Sequence, residues 1–347
     1  MVQTVLVTGA TGYIALHIVN ELLKAGFAVI GTVRSAEKGK LLDNFKTLYP
    51  DSKLTLEFVA DIAQLDAFDE VVKKHPEIDF ILHTASPFSF GLGENNEDVF
   101  VKPAKNGTIG ILNAAKNYAP NVKHVVVTSS LAAVMDYDHL KDHSYVHTEE
   151  SWNPMDWETA KTNPAYAYCF SKTIAEKSAR DFIKTEKPNF TLSTVNPVYV
   201  FGPQMFEETA GNLNTSSDLV NSVLNLAPDA KGPFNEPSGG GIDVRDVARA
   251  HLISIQDPVK FNDARLVMVC GKQNPQKFLD ILNARIPELR GKIPVGDSAA
   301  GAKYIEENVL TYDFSKSEAL FGQKYITLED SVVETAKQVL DYKKTHQ

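Results

Sequence analysis

The chain has 347 residues, 43% of them hydrophobic, and a formal net charge of −9. That supplies core for one large domain or two joined ones, and the acidic balance argues against general affinity for nucleic acid or acidic membranes. No apolar run reaches membrane-spanning length, and Cys169 and Cys270 are the only cysteines, so the expectation is a cytoplasmic protein in a reducing setting.

Thr4–Thr8 is a β-branched apolar run, short enough for a strand buried on both faces. It enters at once the turn Gly9-Ala10-Thr11-Gly12-Tyr13-Ile14-Ala15, and an amphipathic helix then runs to about Ala25. Gly9 permits a tight turn, and Gly12 permits close backbone approach to a ligand. Amides at a helix start, with the helix dipole behind them, suit a pyrophosphate. Glycines also serve plain turns between packed elements. The flanking strand and helix favour the phosphate reading.

Strand and helix patterns then alternate. Further strands are predicted at Ala28–Val33, Leu54–Ala60, Phe80–Thr84, Val122–Ser129 and Phe190–Val195. Helical patterns lie at about 37–48, 64–74 and 97–118, with a long helix over Ala165–Lys187. Such alternation predicts a parallel sheet with helices on both faces. Residues 136–164 break the rhythm with Asp, His, Trp and Pro and read as an inserted loop. After Pro197 a helix is expected at Asp218–Leu226, then a glycine-rich stretch at Ser238–Gly241. Asp246 reads as the N-cap of a helix through Ile255. A strand at Arg265–Val269 and helices at about 275–285, 314–321 and 328–343 complete the chain. The organisation expected is a dinucleotide-binding domain over 1–196, joined by a strand and helix from about 242–270. Residues 197–241 and 271–347 would form a smaller substrate lobe over the crevice at the strand ends.

Two sets of side chains carry chemistry. Arg34 ends the second strand and Lys38 follows, where an NAD enzyme usually places an acid for the ribose hydroxyl. An Arg fork and a Lys charge instead suit the 2′-phosphate of NADP. The plain alternative is a solvated basic turn. Tyr168 and Lys172 share a helix face, and Ser130 ends the Thr128-Ser129-Ser130 run at the tip of strand five. A Tyr–Lys pair is common on surface helices, but here all three can converge at the strand ends. His139, His143 and His147 recur every fourth residue in a polar insertion with no supporting metal motif, so no metal is expected.

The G-x-x-G-x-x-A turn and Tyr-x-x-x-Lys with an upstream Ser resemble the extended short-chain dehydrogenase/reductases. His83-Thr84-Ala85-Ser86-Pro87-Phe88, Glu149-Glu150-Ser151-Trp152-Asn153-Pro154 and the segment from Pro197 to Met205 are similar to their fungal, dihydroflavonol-reductase-like branch. The resemblance implies a Rossmann-type doubly wound parallel sheet with a smaller C-terminal lobe. It implies NADPH-dependent reduction of aldehydes and ketones, of the methylglyoxal, isovaleraldehyde, diketone or aryl ketone type. Tyr168 would be the acid, Lys172 would lower its pKa and hold the nicotinamide ribose, and Ser130 would position the carbonyl, with Ser129 as the rival serine. Asp61 and Ile62 would hold the adenine, and Thr84, Ala85 and Ser86 would lie beside the cofactor. Pro197, Val198 and Val200 would run under the nicotinamide, and Ser216 would return to it. Phe88, Leu131, Met135, Tyr166, Tyr199 and Met205 follow or flank these segments and are expected to wall a mostly apolar pocket. The partner expected is a small carbonyl compound, met by a monomer or homodimer. A non-catalytic NADP sensor and a nucleotide-sugar epimerase or dehydratase are the alternatives. Intact Ser130, Tyr168 and Lys172 weigh against the first. Lys231 as the one basic residue from Val198 to Phe234 weighs against the second.

Overall fold

The computed structural model describes residues 2–86 and 96–346. The strands in chain order are β1 (Thr4–Thr8), β2 (Ala28–Val33), β3 (Leu54–Phe58), β4 (Ile78–His83), β5 (His124–Thr128) and β6 (Val146–His147). They continue with β7 (Thr191–Pro197), β8 (Tyr199–Phe201), β9 (Gly239–Asp243), β10 (Arg265–Met268), β11 (Gly271–Gln273) and β12 (Thr311–Tyr312).

Every residue of β1 is buried, and alternation divides them between two cores. Val5 and Val7 pack with Ile18, Val19 and Leu22 of the first helix, Tyr13–Lys24. Leu6 faces the other way, onto a cluster with Ile81, Ile111 and Val125. The strand is therefore the centre of a sheet covered on both faces. Seven parallel strands follow the order β10-β7-β5-β4-β1-β2-β3. The chain moves outward one way from β1 and the other way from β4. Their adjacent carboxyl ends make the switch point where such sheets bind ligands.

Most expected boundaries hold within one or two residues. The region expected as one helix at 37–48 is instead broken into Ala36–Gly39, a 3-10 turn at Lys40–Asp43, and Asn44–Leu48. Gly39 packs there against Leu56 and Val33 of the sheet, at distances that a Cβ would shorten to 3.2 and 3.4 Å. The helix expected to start at Asp246 starts at Val244, and its cap is Asp243, which accepts from the Arg245 amide at 2.8 Å. Asp246 lies in the first turn and accepts from the Ile326 amide at 2.7 Å.

The glycine-rich stretch is a strand. β9 pairs antiparallel with β11 and parallel with β8. Glycine disfavours strands, so the composition gave no strand signal. Here a Cβ on Gly241 would stand 2.7 Å from Leu328 and 3.1 Å from the Phe201 ring, so only a bare backbone lets this small sheet close. β6, β12 and the helix Ser298–Asn308 also had no sequence forecast. A third core of Phe201, Val220, Phe278, Leu282 and Val332 sits under the small sheet. Among the described residues no helix is long and apolar enough to cross a membrane.

Candidate active site

The turn after β1 is set by sterics. Gly9 has φ +66°, and a Cβ there would lie 3.1 Å from the Ala85 backbone at the end of β4. The Gly12 amide closes the turn onto the Gly9 carbonyl at 2.9 Å, and the Ala10 amide is taken by the Thr32 carbonyl at 2.9 Å. Thr11 is half-buried, Gly12 is exposed, and Ile14 packs onto the first core. The Tyr13 hydroxyl donates to the Gly202 carbonyl at 2.8 Å, and His17 Nε2 reaches the Pro203 carbonyl at 3.0 Å. These side chains tie the turn to the end of β8. The first amides of the Tyr13–Lys24 helix remain at its open end.

Thr8 organises the β1–β4 switch point. Its hydroxyl accepts from the amides of Thr84 and Ala85, each at 3.1 Å, and lies 2.9 Å from His83 Nδ1. The Thr84 hydroxyl in turn donates to the Thr8 carbonyl. With two donors on its oxygen, Thr8 gives its proton to His83, which is therefore a neutral acceptor at Nδ1. Burial, reinforced by the charge of Lys172, pushes His83 down to about 3. Arg34 and Lys38 are exposed beyond β2. Asp61 accepts from Gln64 Nε2 at 3.0 Å and the Ala63 amide at 2.9 Å, and these bonds, with nearby Arg34, hold it below the usual carboxylate range. Ile62 packs on the second core. An exposed glycine backbone, the amides of the helix start and the two exposed cations beyond β2 form a donor set that fits a dinucleotide carrying an extra phosphate.

The helix Pro164–Glu186 begins with Pro at its first position, capped by Asn163 on the Ala165 amide at 2.8 Å. It carries Tyr168 and Lys172 one turn apart, with Lys172 Nζ 5.8 Å from the Tyr168 ring centre. The Ser130 hydroxyl lies close enough to Tyr168 to favour its phenolate; it accepts from the Ala132 amide at 3.1 Å and donates to the Pro197 carbonyl at 3.5 Å. Ser129 turns the other way and donates to buried Glu176 at 2.5 Å. Geometry thus separates the two serines. The expected lowering of the Tyr168 pKa is not met by protein groups. Burial drives the phenol above its ordinary value, and the Ser130 hydroxyl offsets this only in part. Burial also pushes Lys172 down to about 8.

The surroundings of Tyr168 are richer in hydroxyls than expected. Tyr166 meets Tyr137 edge-on at 5.2 Å, and the Tyr137 hydroxyl lies 3.1 Å from Cys169 Sγ. Tyr199 is half-buried, and a Cβ on Gly239 would touch its ring at 3.0 Å. Burial, then the charges of Glu236 and Cys169, raise its phenol. Leu131 is buried in a fourth core with Val134, Val267 and Phe314, and Met135 packs against that core. Met205 packs against the first core, and its neighbour Phe206 meets Phe45 at 4.9 Å. The Ser216 hydroxyl accepts from the Val200 amide at 3.1 Å. Pro197 ends β7 beside Met268, Val198 is half-buried, and Val200 is buried. Ser86 is half-buried, and Phe88 lies outside the described residues. Tyr137, Cys169, Glu176 and Glu236 were not singled out for this site. Glu176 alone had a usable signal, since it stands four residues after Lys172 on the same helix face. The three spaced histidines do not share a helix: His139 pairs with Asp136, and His143 and His147 bond Thr311.

A family model described as the NAD dependent epimerase/dehydratase family matches residues 5–271. The chain is 45% identical over 347 residues to the NADPH-dependent methylglyoxal reductase GRE2 of Saccharomyces cerevisiae, covering 98% of this chain and 99% of that one. It is 36% identical over 343 residues to the ketoreductase azaE of Aspergillus niger, covering 98% of each. The crystal structure of yeast methylglyoxal/isovaleraldehyde reductase Gre2 complexed with NADPH superposes with a TM-score of 0.92 at 44% identity, covering 99% of both chains.

Proposed function

The chain belongs to the NAD dependent epimerase/dehydratase family, a group of extended short-chain dehydrogenase/reductases, and from that premise we propose that it is an NADPH-dependent carbonyl reductase. The observation that carries the reading is the placement of the Ser130 hydroxyl beside Tyr168, with Lys172 one helical turn on. The names of full-length relatives, a methylglyoxal reductase and a ketoreductase, point to the same chemistry.

When bound, NADPH supplies the hydride. Tyr168 holds the proton. Its raised pKa keeps the phenol protonated at neutral pH, the form needed to donate to a carbonyl oxygen as it gains charge. Ser130 donates a second hydrogen bond to that oxygen and fixes its distance from Tyr168. Lys172, buried on the same helix face, supplies positive charge beneath the phenol and holds the nicotinamide ribose. The amides at the start of the Tyr13–Lys24 helix hold the pyrophosphate, and Arg34 with Lys38 reads the 2′-phosphate. Tyr166 and Tyr199 flank the carbonyl corner. The substrates are small, uncharged aldehydes and ketones.

The test is NADPH oxidation, followed by nicotinamide absorbance, with aldehydes, 1,2-diketones, aryl ketones and UDP-sugars. Turnover with the carbonyl compounds and none with the sugar nucleotides is expected. Conversion of UDP-sugars without net NADPH oxidation, followed by chromatography because those reactions are redox-neutral, would select the epimerase or dehydratase reading, and tight NADPH binding without conversion of any substrate would select the sensor.

A further inference from the structure

Glu176 is the most heavily hydrogen-bonded buried charge beside the site. It is 1% exposed and lies one turn beyond Lys172 on the same helix. Oε2 accepts from Ser129 Oγ at 2.5 Å and Asn196 Nδ2 at 2.7 Å. Oε1 accepts from Arg265 Nε at 2.6 Å, with Thr194 Oγ1 and Arg180 Nε at 3.3 Å. These donors come from the ends of β5, β7 and β10 and from the helix itself. The same Asn196 amide also donates to the Ser130 carbonyl at 3.1 Å. Arg265 extends the clamp: Nη2 donates to the Ala133 carbonyl at 3.1 Å, and its guanidinium lies 3.8 Å over the Trp152 ring.

A buried ion pair is a poor stability device, because apolar residues of similar volume often replace it without loss. What this pair supplies is position. Five donors converge on one carboxylate from four separate elements, and two of them adjoin or bond the Ser130 backbone. We propose that Glu176 is a positioning residue, holding the ends of β5 and β7 at the spacing that keeps Ser130 against Tyr168. The proposal rests on the reductase reading above. Glu176 touches neither reacting atom and acts through Ser130.

Glu176→Gln keeps the shape but turns one acceptor into a donor facing donors, so the clamp cannot close. A misplacement near 1 Å costs about 10²-fold in such sites. The experiment is a double-mutant cycle of Glu176→Gln with Ser130→Ala in the full chain, measuring kcat, NADPH Kd by fluorescence, and Tm. Glu176→Gln alone should lower kcat by about 10–100-fold with NADPH Kd nearly unchanged. In the Ser130→Ala background the same change should cost less than a third of that factor. An equal fold loss in both backgrounds overturns the positioning role, as does an undiminished kcat in Glu176→Gln. If Glu176→Gln does not fold, the same cycle with Ser129→Ala decides by the same criteria. If Ser130→Ala itself leaves turnover intact, the reading of the site fails first and the positioning role falls with it.

Discussion

Tyr168 sits under two opposed influences. Its burial favours the neutral phenol, and the Ser130 hydroxyl favours the phenolate. Removing only the phenolic oxygen, by Tyr168→Phe, should leave NADPH binding intact and lower kcat by about 10² or more, read by fluorescence titration and steady-state kinetics. Retention of near wild-type turnover would place the proton elsewhere. Arg34 poses the complementary question of cofactor choice. It stands exposed beyond β2, free to approach a phosphate. Arg34→Ala should raise the NADPH KM by about tenfold or more and barely move the NADH KM, because a lost charge-assisted bond affects only the phosphorylated cofactor. Equal effects on the two cofactors would remove Arg34 from phosphate recognition. Both residues were singled out in the sequence, Arg34 by its place at the end of the second strand and Tyr168 by its spacing from Lys172 on one helix. The place of Tyr137 beside Tyr166 was not. Tyr137 comes from the insertion, and its approach to Cys169 is a long-range contact with no periodic signature.

The helix Val244–Gln256 shows how an element assigns roles to neighbouring acids. Asp243 takes the cap, where it also receives the Arg245 guanidinium at 2.8 Å and the Ser331 hydroxyl at 2.7 Å. Asp246 is left in the first turn with one amide donor, and burial pushes it up to about 6. A carboxyl raised on folding adds stability below its unfolded pKa, and that contribution is lost as pH rises through about 6. Asp246→Asn keeps an acceptor for the Ile326 amide and removes the buried charge. The variant should gain about 1–2 kcal/mol at pH 7–8 and almost nothing below about pH 4, measured by urea unfolding across pH. A gain that does not depend on pH would show that ionisation of Asp246 is not the cause. Asp246 is the cap expected from the sequence, but Asp243, three residues earlier, is equally able to cap and takes that place. The choice was settled by Ser331, which is 88 residues from Asp243 in sequence.

The last helix, Leu328–Thr345, binds the whole molecule together. Thr335 accepts from the Gly202 amide at 3.0 Å, and Gln338 exchanges two bonds with the Gln204 backbone at 2.6 and 3.0 Å. Glu334 pairs with Arg245 at 2.7 Å, and Lys343 reaches Asn221 and Asn225 at 2.8 and 2.7 Å. Gly202 and Pro203 are in turn held by Tyr13 and His17 beside the glycine turn. A continuous chain of contacts thus joins the first helix to the last. The protein should unfold in one transition, with near-UV and far-UV circular dichroism coincident and both shifted together by NADPH. Two separated transitions, only one of them moved by NADPH, would show that the C-terminal lobe melts independently.

The sequence by itself determined the central sheet, the glycine turn and the Tyr168–Lys172 pair. Their signals are local: apolar runs, a steric need at Gly9, and a fixed spacing on one helix. Tertiary structure decided what local chemistry leaves degenerate. Ser129 and Ser130 are adjacent and identical, and only Glu176 from another element turns one away from Tyr168. Three glycines carry no strand signal of their own, yet Leu328, Phe201 and Tyr199 close over them as a strand. Leu131, singled out in the sequence for its place after strand five, packs in a core that includes Phe314, a partner that no local pattern could name. In each case the deciding atoms lie far away in the chain, so burial and pairing, rather than propensity, made the choice.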